Sequence, residues 1–181
     1  MKKLIIAFLF VGLSTTVVGQ KYLTQSGTIK FFSTTPIEDI EAVNNQVSSV
    51  INMENGEMAF TLLMKAFIFE KALMQEHFNE KYVESDKYPK ASLKGTIQDF
   101  NKSQISGEFV DFIVKGTLKI HGVSADITIT ARLKRSGEKI IGTSTFKIAL
   151  ADYKISVPSA VQDNIEKEIE VMVNMEYEKL D

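Results

Sequence analysis

The 181-residue chain has no cysteine and only two histidines. Without cysteine there is no disulfide scaffold, no thiol nucleophile, no thiolate metal site and no cysteine-borne lipid anchor. Packing and sheet hydrogen bonds must hold the fold alone. His77 and His121 form neither an HxxxH nor an HExxH pair, so a zinc site of that type is absent, and both read as solvated or locally hydrogen-bonded side chains. G-x-S-x-G, P-loop and dinucleotide-binding motifs are missing as well. The carboxylates fall mainly on polar faces, with no interior pair to serve as acid and base. These absences argue against an enzyme, and neither a cofactor nor a metal is expected. Basic runs are also lacking, and the formal net charge is −2. A mildly acidic surface of this kind disfavours nucleic acid and anionic membranes as main partners.

Long apolar runs are scarce, and the clearest lies at the start. Lys2 and Lys3 precede Leu4 to Leu13, and Ser14-Thr15-Thr16 and Val17-Val18-Gly19 follow. A charged n-region, a short apolar h-region and a small-residue cleavage site make a secretory signal peptide, and the run is short for a permanent span. A retained N-terminal anchor is the alternative. The expected division is residues 1–19 as signal peptide and 20–181 as one domain, with Gln20 the mature N-terminus and no membrane span in the mature chain. The product would be periplasmic or secreted. Loss of Lys2 and Lys3 leaves 21 − 2 = 19 basic against 23 acidic side chains, a net −4.

What the chain has in abundance is alternation. In Val110–Ile120 and Val123–Leu133, apolar residues occupy every second position, and side chains on a strand change faces at each residue. Ile120 and Val123 face the same side if His121-Gly122 is a two-residue hairpin loop, in which glycine tolerates positive φ. Further alternation marks strands at Lys21–Phe32, Gln46–Met53, Met58–Ala66, Ala91–Phe100, Ile140–Leu150 and Ile169–Tyr177. Asn55-Gly56 and Ser136-Gly137-Glu138 read as turns. A short helical turn is expected from Pro36 to Ala42, ended by Asn44-Asn45. A second helix is expected from Phe69, Leu73, Met74, His77 and Phe78, spaced three and four apart. Residues 151–162 read as an irregular crossing.

The expected fold is mainly β, an antiparallel barrel of about eight strands with a short helix capping one end. Closure removes the sheet edges, and eight strands leave an interior that side chains or one small ligand can fill.

Three blocks resemble a known family: HFNEKYVESDKYPKASLKGTI (His77 to Ile97), VKGTLKIHGVSADITI (Val114 to Ile129) and TFKIALADYKISVP (Thr145 to Pro158). Together with the leader and early strand they are similar to the YceI-like family over the whole mature chain. The most specific match is G-x-L-x-I-H-G-V at Gly116 to Val123. Tyr82, Tyr88-Pro89 and His121-Gly122 match as fold markers. The resemblance implies an exported, lipocalin-like barrel, and some members hold a polyisoprenoid along the barrel axis. The expected function is to hold a long-chain apolar ligand (polyisoprenoid, quinone-like or other lipid) for carriage or storage. The alternative is a filled barrel acting as a structural or protein-interaction module in envelope stress response. The expected apolar lining is Met58, Phe60, Leu62, Met64, Phe69, Phe78, Leu93, Val110, Phe112, Gly116, Leu118, Ile127, Ala131 and Phe146. Enlarging Gly116 or Ala131 to leucine is expected to block such a slot while the barrel stays folded. An oligomer is possible but not indicated.

Overall fold

Residues 20–180 are described by the computed structural model, and residues 1–19, the expected signal peptide, lie outside them. The alternating segments form β1 (Lys21–Thr34), β2 (Asp39–Asn52), β3 (Glu57–Leu63), β5 (Lys90–Ile97), β6 (Val110–Ile120), β7 (Val123–Ser136), β8 (Lys139–Ala149) and β9 (Glu168–Lys179). A two-residue strand, β4 (Ile68–Phe69), and one helix, α1 (Ala72–His77), lie between β3 and β5. Neighbouring strands run antiparallel in the order β1-β9-β8-β7-β6-β5-β3-β2, and β1 also pairs with β2, which closes the barrel. The expected eight-stranded lipocalin-like barrel with a short capping helix is the fold, with β4 added on β2.

The central hairpin has the expected register. Ile120 pairs with Val123, and His121 and Gly122 take φ of 52° and 74° in the turn. Inward positions on β7, β8 and β9 follow the parity read from the sequence, as in the buried Leu133, Ile140 and Tyr177.

Between β1 and β2 the expectations are corrected. Pro36 to Ala42 is not a helical turn. The Thr35 hydroxyl accepts from the amides of Ile37 and Glu38, and the Thr35 amide donates to the Glu38 carbonyl at 3.1 Å, closing a tight turn straight into β2. Asn44-Asn45 does not break the chain either. It falls where the β1–β2 register shifts, and buried Asn44 accepts from the Gln46 amide and donates to the Leu63 carbonyl. The asparagine satisfies backbone groups that the irregular ladder leaves unpaired, so a bulge replaces a strand end.

The second helix is shorter than its periodicity suggested. Phe69 belongs to β4, α1 covers Ala72–His77, and Phe78–Tyr82 continues as a wider turn in which the Val83 amide reaches the Phe78 carbonyl. The wider turn lets Met74, Phe78 and Tyr82, four residues apart, all face the interior. Leu73, expected on the apolar face, is instead 60% exposed.

At the end that carries the β2–β3 and β7–β8 turns, the interior is solid. Ile51, Met53, Ile97 and Ile140 fill it, and Val114, Leu133 and Tyr177 pack at its boundary. The Tyr177 hydroxyl on β9 lies 2.9 Å from that of Ser49 on β2, with β1 between them. Burial holds the Tyr177 phenol well above its ordinary range, so it stays a neutral hydrogen-bonding group there.

Gly95 and Gly116 sit opposite each other on β5 and β6. A Cβ on Gly116 would lie 2.4 Å from the Lys94 carbonyl oxygen, a backbone atom that cannot move aside alone. Gly116 therefore permits a close approach of two strands, and leucine there does not leave the barrel unperturbed. We expect Gly116→Ala to destabilise the protein by about 1–3 kcal/mol, the usual range for overpacking. Gly107→Ala, with nothing within 4 Å of its Cβ, serves as the control. Denaturant unfolding of the two variants checks this, and equal midpoints would remove the close-approach role.

Candidate functional site

The other half of the barrel is hollow. A cavity of about 270 Å³ lies under the end formed by the β1–β2 turn, α1, the β6–β7 hairpin and the β8–β9 connection. A second compartment of about 80 Å³ lies deeper, towards the filled half. Ile29, Leu62, Ala91, Leu118 and Phe146 line both, so they stand as a waist between two adjacent apolar chambers.

Four phenylalanines build the upper chamber's wall. Phe31 lies 5.2 Å from Phe67, 5.7 Å from Phe69 and 5.5 Å from Phe78, measured between ring centroids, and Phe69 and Phe78 are 5.0 Å apart. The rings come from β1, from the β3–β4 link, from β4 and from the turn after α1. Their tilted and edge-on contacts bind the cap to the barrel wall. Met64 and Met74 complete the surface with flexible thioethers that adapt to a guest's shape.

Polar atoms are few and gather mainly at the outer edge, where Ser33, Glu38, His77 and Asn164 reach the chamber. Lys71 donates to Glu38 at 2.9 Å, tying the residue before α1 to the β1–β2 turn. That hydrogen bond holds the Glu38 carboxyl below its usual range. Glu38 lines the cavity and still keeps 28% of its side chain exposed, which places the mouth beside it.

His121 secures the far side of the cap. Its Nε2 donates to the Glu84 carboxylate at 2.7 Å, its Nδ1 lies 3.1 Å from the Tyr153 carbonyl oxygen, and Tyr88 packs edge-on against the ring. Glu84, His121 and Lys154 all hold positive φ here, at 45°, 52° and 55°. His121 thus contacts Glu84 directly and reaches the Tyr153 carbonyl next to Lys154, which ties the α1–β5 loop and the β8–β9 connection to the hairpin. So the histidine of the family-like block is a structural clasp, and it lines neither chamber.

Of the expected lining, Met58, Phe60, Leu93, Ile127 and Ala131 face the deep chamber, and Met64, Phe69 and Phe78 face the upper one. Leu62, Leu118 and Phe146 lie at the waist. Three residues fall elsewhere. Val110 and Phe112 pack in the solid half, where Phe112 meets Phe100 at 6.2 Å, and Gly116 is taken up by the strand approach. On the strands, inward parity selects the candidates for lining a cavity, and height along the barrel decides among them.

Sequence reasoning missed Ile29, Phe31, Ile148 and Val171, whose inward parity was visible, and Phe67, Ile155, Val161 and Ile165, which no periodicity marks. Among the described residues, no cluster of side chains suited to a metal ion occurs, and no helix is long and apolar enough to cross a membrane.

Comparisons with known proteins agree with this architecture. A family model described as the YceI-like domain matches residues 14–177. A polyisoprenoid binding domain from Saccharophagus degradans, implicated in plant cell wall breakdown, superposes with a TM-score of 0.76 at 18% identity, covering 90% of this chain and 99% of that one. Burkholderia cenocepacia BcnA gives 0.70 at 12% identity, covering 83% and 95%. The Campylobacter jejuni YCEI protein gives 0.65 at 15% identity, covering 100% and 99%. At these identities the likeness is one of fold. Comparison with curated protein sequences gives no match.

The clasp yields a pH prediction. Glu84 is lowered chiefly by its hydrogen bond from His121, with Lys87 adding to it. A depressed folded value contributes stability that is present above the unfolded value of about 4.3 and is lost as pH falls through the folded one. Glu84→Gln keeps an acceptor for His121 and removes the charge. Its stability deficit against the wild type should therefore be present at neutral pH, begin to shrink as pH falls below about 4.3, and be lost as pH passes through the lower folded value. A deficit that does not change with pH, in unfolding curves from pH 7 to 3, would exclude the charge as the source.

Proposed function

This chain belongs to the YceI-like domain family, and from that premise we propose that it is an exported binding protein that carries or stores a long-chain apolar molecule. The observation that carries the reading is the pair of adjacent apolar chambers in a barrel whose other half is packed solid. A barrel of eight strands is small enough for side chains to fill, as they do here below the deep chamber. Above it, small Ala131, Gly142 and Ser144 line the deep chamber, and the phenylalanine wall surrounds the upper one. The upper chamber alone approaches the lower end of the 300–1,000 Å³ typical of ligand sites.

A hydrocarbon is the guest that suits this lining. Each buried methylene contributes about 0.8 kcal/mol, so a chain of several isoprene units binds tightly with few polar contacts. The polar groups at the outer edge would face the head of an amphiphile whose tail points past the waist. The polyisoprenoid binding domain of Saccharophagus degradans shares the fold and supports this class of ligand. The basic, apolar, small-residue order of Met1 to Gly19 supports export to the periplasm or beyond. Binding rather than catalysis suits a cavity whose polar groups lie mainly at its rim.

Mass spectrometry of an organic extract, from protein purified out of its native periplasm, tests the proposal. A stoichiometric long-chain isoprenoid, quinone or other lipid is expected. A clean extract, with no uptake of added long-chain quinone or polyprenol, would refute it. Ala131→Leu narrows the deep chamber, so it should shift the bound population towards shorter chains while the fold persists. An unchanged chain-length distribution would show that the guest ends above the waist.

A further inference from the structure

The large apolar side chains left in water are not scattered evenly. Ile37, Ile68 and Leu73 are 64%, 63% and 60% exposed, the three highest values for large apolar side chains among the described residues, and all lie at the cavity end. Leu63, at the same end of β3, adds a fourth at 46%. Ile37 sits at the tip of the β1–β2 turn, Ile68 on β4 and Leu73 on α1. These elements are tied together, since Glu38 next to Ile37 pairs with Lys71, two residues before Leu73. The same elements supply cavity lining through Glu38, Phe69 and Met74. The apolar surface is thus the outer margin of the cavity mouth.

Exposing these side chains works against solubility, and the partner they fit is set by area and charge. A handful of side chains falls far short of the roughly 1,000 Å² needed for a specific protein interface. Shallow insertion into a bilayer needs only a few apolar residues that reach below the headgroups. The exposed charges beside them are mixed, with Asp39, Glu70, Glu76 and Glu80 against Lys65, Lys71, Lys81 and Lys90, the last paired with Leu63 across the β3–β5 ladder. They form no basic patch that would draw anionic headgroups. We propose that the cavity end docks reversibly on electrically neutral lipid bilayers, inserting Ile37, Ile68 and Leu73 beside the mouth. An apolar guest would then pass between bilayer and cavity without crossing water. That purpose rests on the binding reading above, whereas the contact itself does not.

Flotation with phosphatidylcholine vesicles tests the contact, using the wild type, the triple variant Ile37→Ser, Ile68→Ser, Leu73→Ser, and the control pair Ile113→Ser, Met172→Ser on the barrel wall. All the substituted positions are exposed, and thermal unfolding confirms that each variant folds. The wild type and control should float, the triple variant should lose about tenfold or more of the floated fraction, and added phosphatidylglycerol should not strengthen flotation. Transfer of a long-chain quinone from the vesicles should slow in parallel, with equilibrium loading from detergent unchanged. A wild type that does not float, or a triple variant that floats equally, overturns the proposal. So does a concentration-dependent dimer abolished by the triple variant in the absence of flotation, which would assign the surface to self-association. Flotation without quinone loading leaves docking standing and removes the carrier reading, and loading without flotation does the reverse.

Discussion

Strand β1 is hydrogen-bonded on both sides, to β9 over Tyr22–Phe32 and to β2 over Lys21–Thr34, and this double pairing makes the sheet a barrel. An open sheet of these strands would present two unpaired edges and an apolar face to water. Closure satisfies the backbone and turns the alternating face inward, so every second residue of eight strands must share one narrow interior. The register shifts near Gly27 and Asn44 are the local adjustments that let two long, twisted strands stay paired around the curve.

The shared interior is then divided by height. Near the β2–β3 and β7–β8 turns, large residues from opposite walls meet and exclude space. Towards the other end the strands carry inward residues of mixed size, and the chain covers the opening with non-strand segments in place of side chains from the walls. The cap is assembled from pieces far apart in sequence. Aromatic contacts join the segments flanking α1 to β1, Lys71 and Glu38 tie the helix start to the first turn, and His121 holds two loops to the central hairpin. A cavity survives beneath because these contacts fix the cap at its margins and leave its centre unfilled. Function in the proposed sense depends on that division, since the solid half provides stability and the hollow half provides room.

Eight strands, their parity, the His121-Gly122 turn and the capping element before β5 were all legible in the sequence. Period-two patterning is a local property that burial on one face imposes residue by residue. The errors share a different cause. Asn44 and Asn45 have turn chemistry, and they use it to satisfy a bulge because β1 and β3 are there to receive them. Thr35 and Pro36 resemble a helix start, yet the hydroxyl of Thr35 closes a hairpin between two strands whose pairing lies elsewhere in the sheet. Leu73 has helical spacing with Phe69 and His77, but its side chain points outward because the cap is only one short helix thick.

The candidate site divides along the same line. That inward-facing residues of β3, β5, β7 and β8 would line an apolar interior follows from alternation, a rule written into neighbouring residues. Whether Phe112 fills space or borders it depends on what stands across the barrel, and its partner Phe100 arrives from the loop after β5. Phe67, Ile155 and Ile165 enter the cavity from irregular segments that carry no period to read. Gly116 has the parity of a lining residue and the surroundings of a strand contact. By itself, then, the sequence determined the strands, their faces and the apolar character of the interior, because those are set by spacing along the chain. Only the tertiary structure decided where that interior is empty and where its mouth lies, because a cavity is a relation between residues that meet only after the barrel has closed.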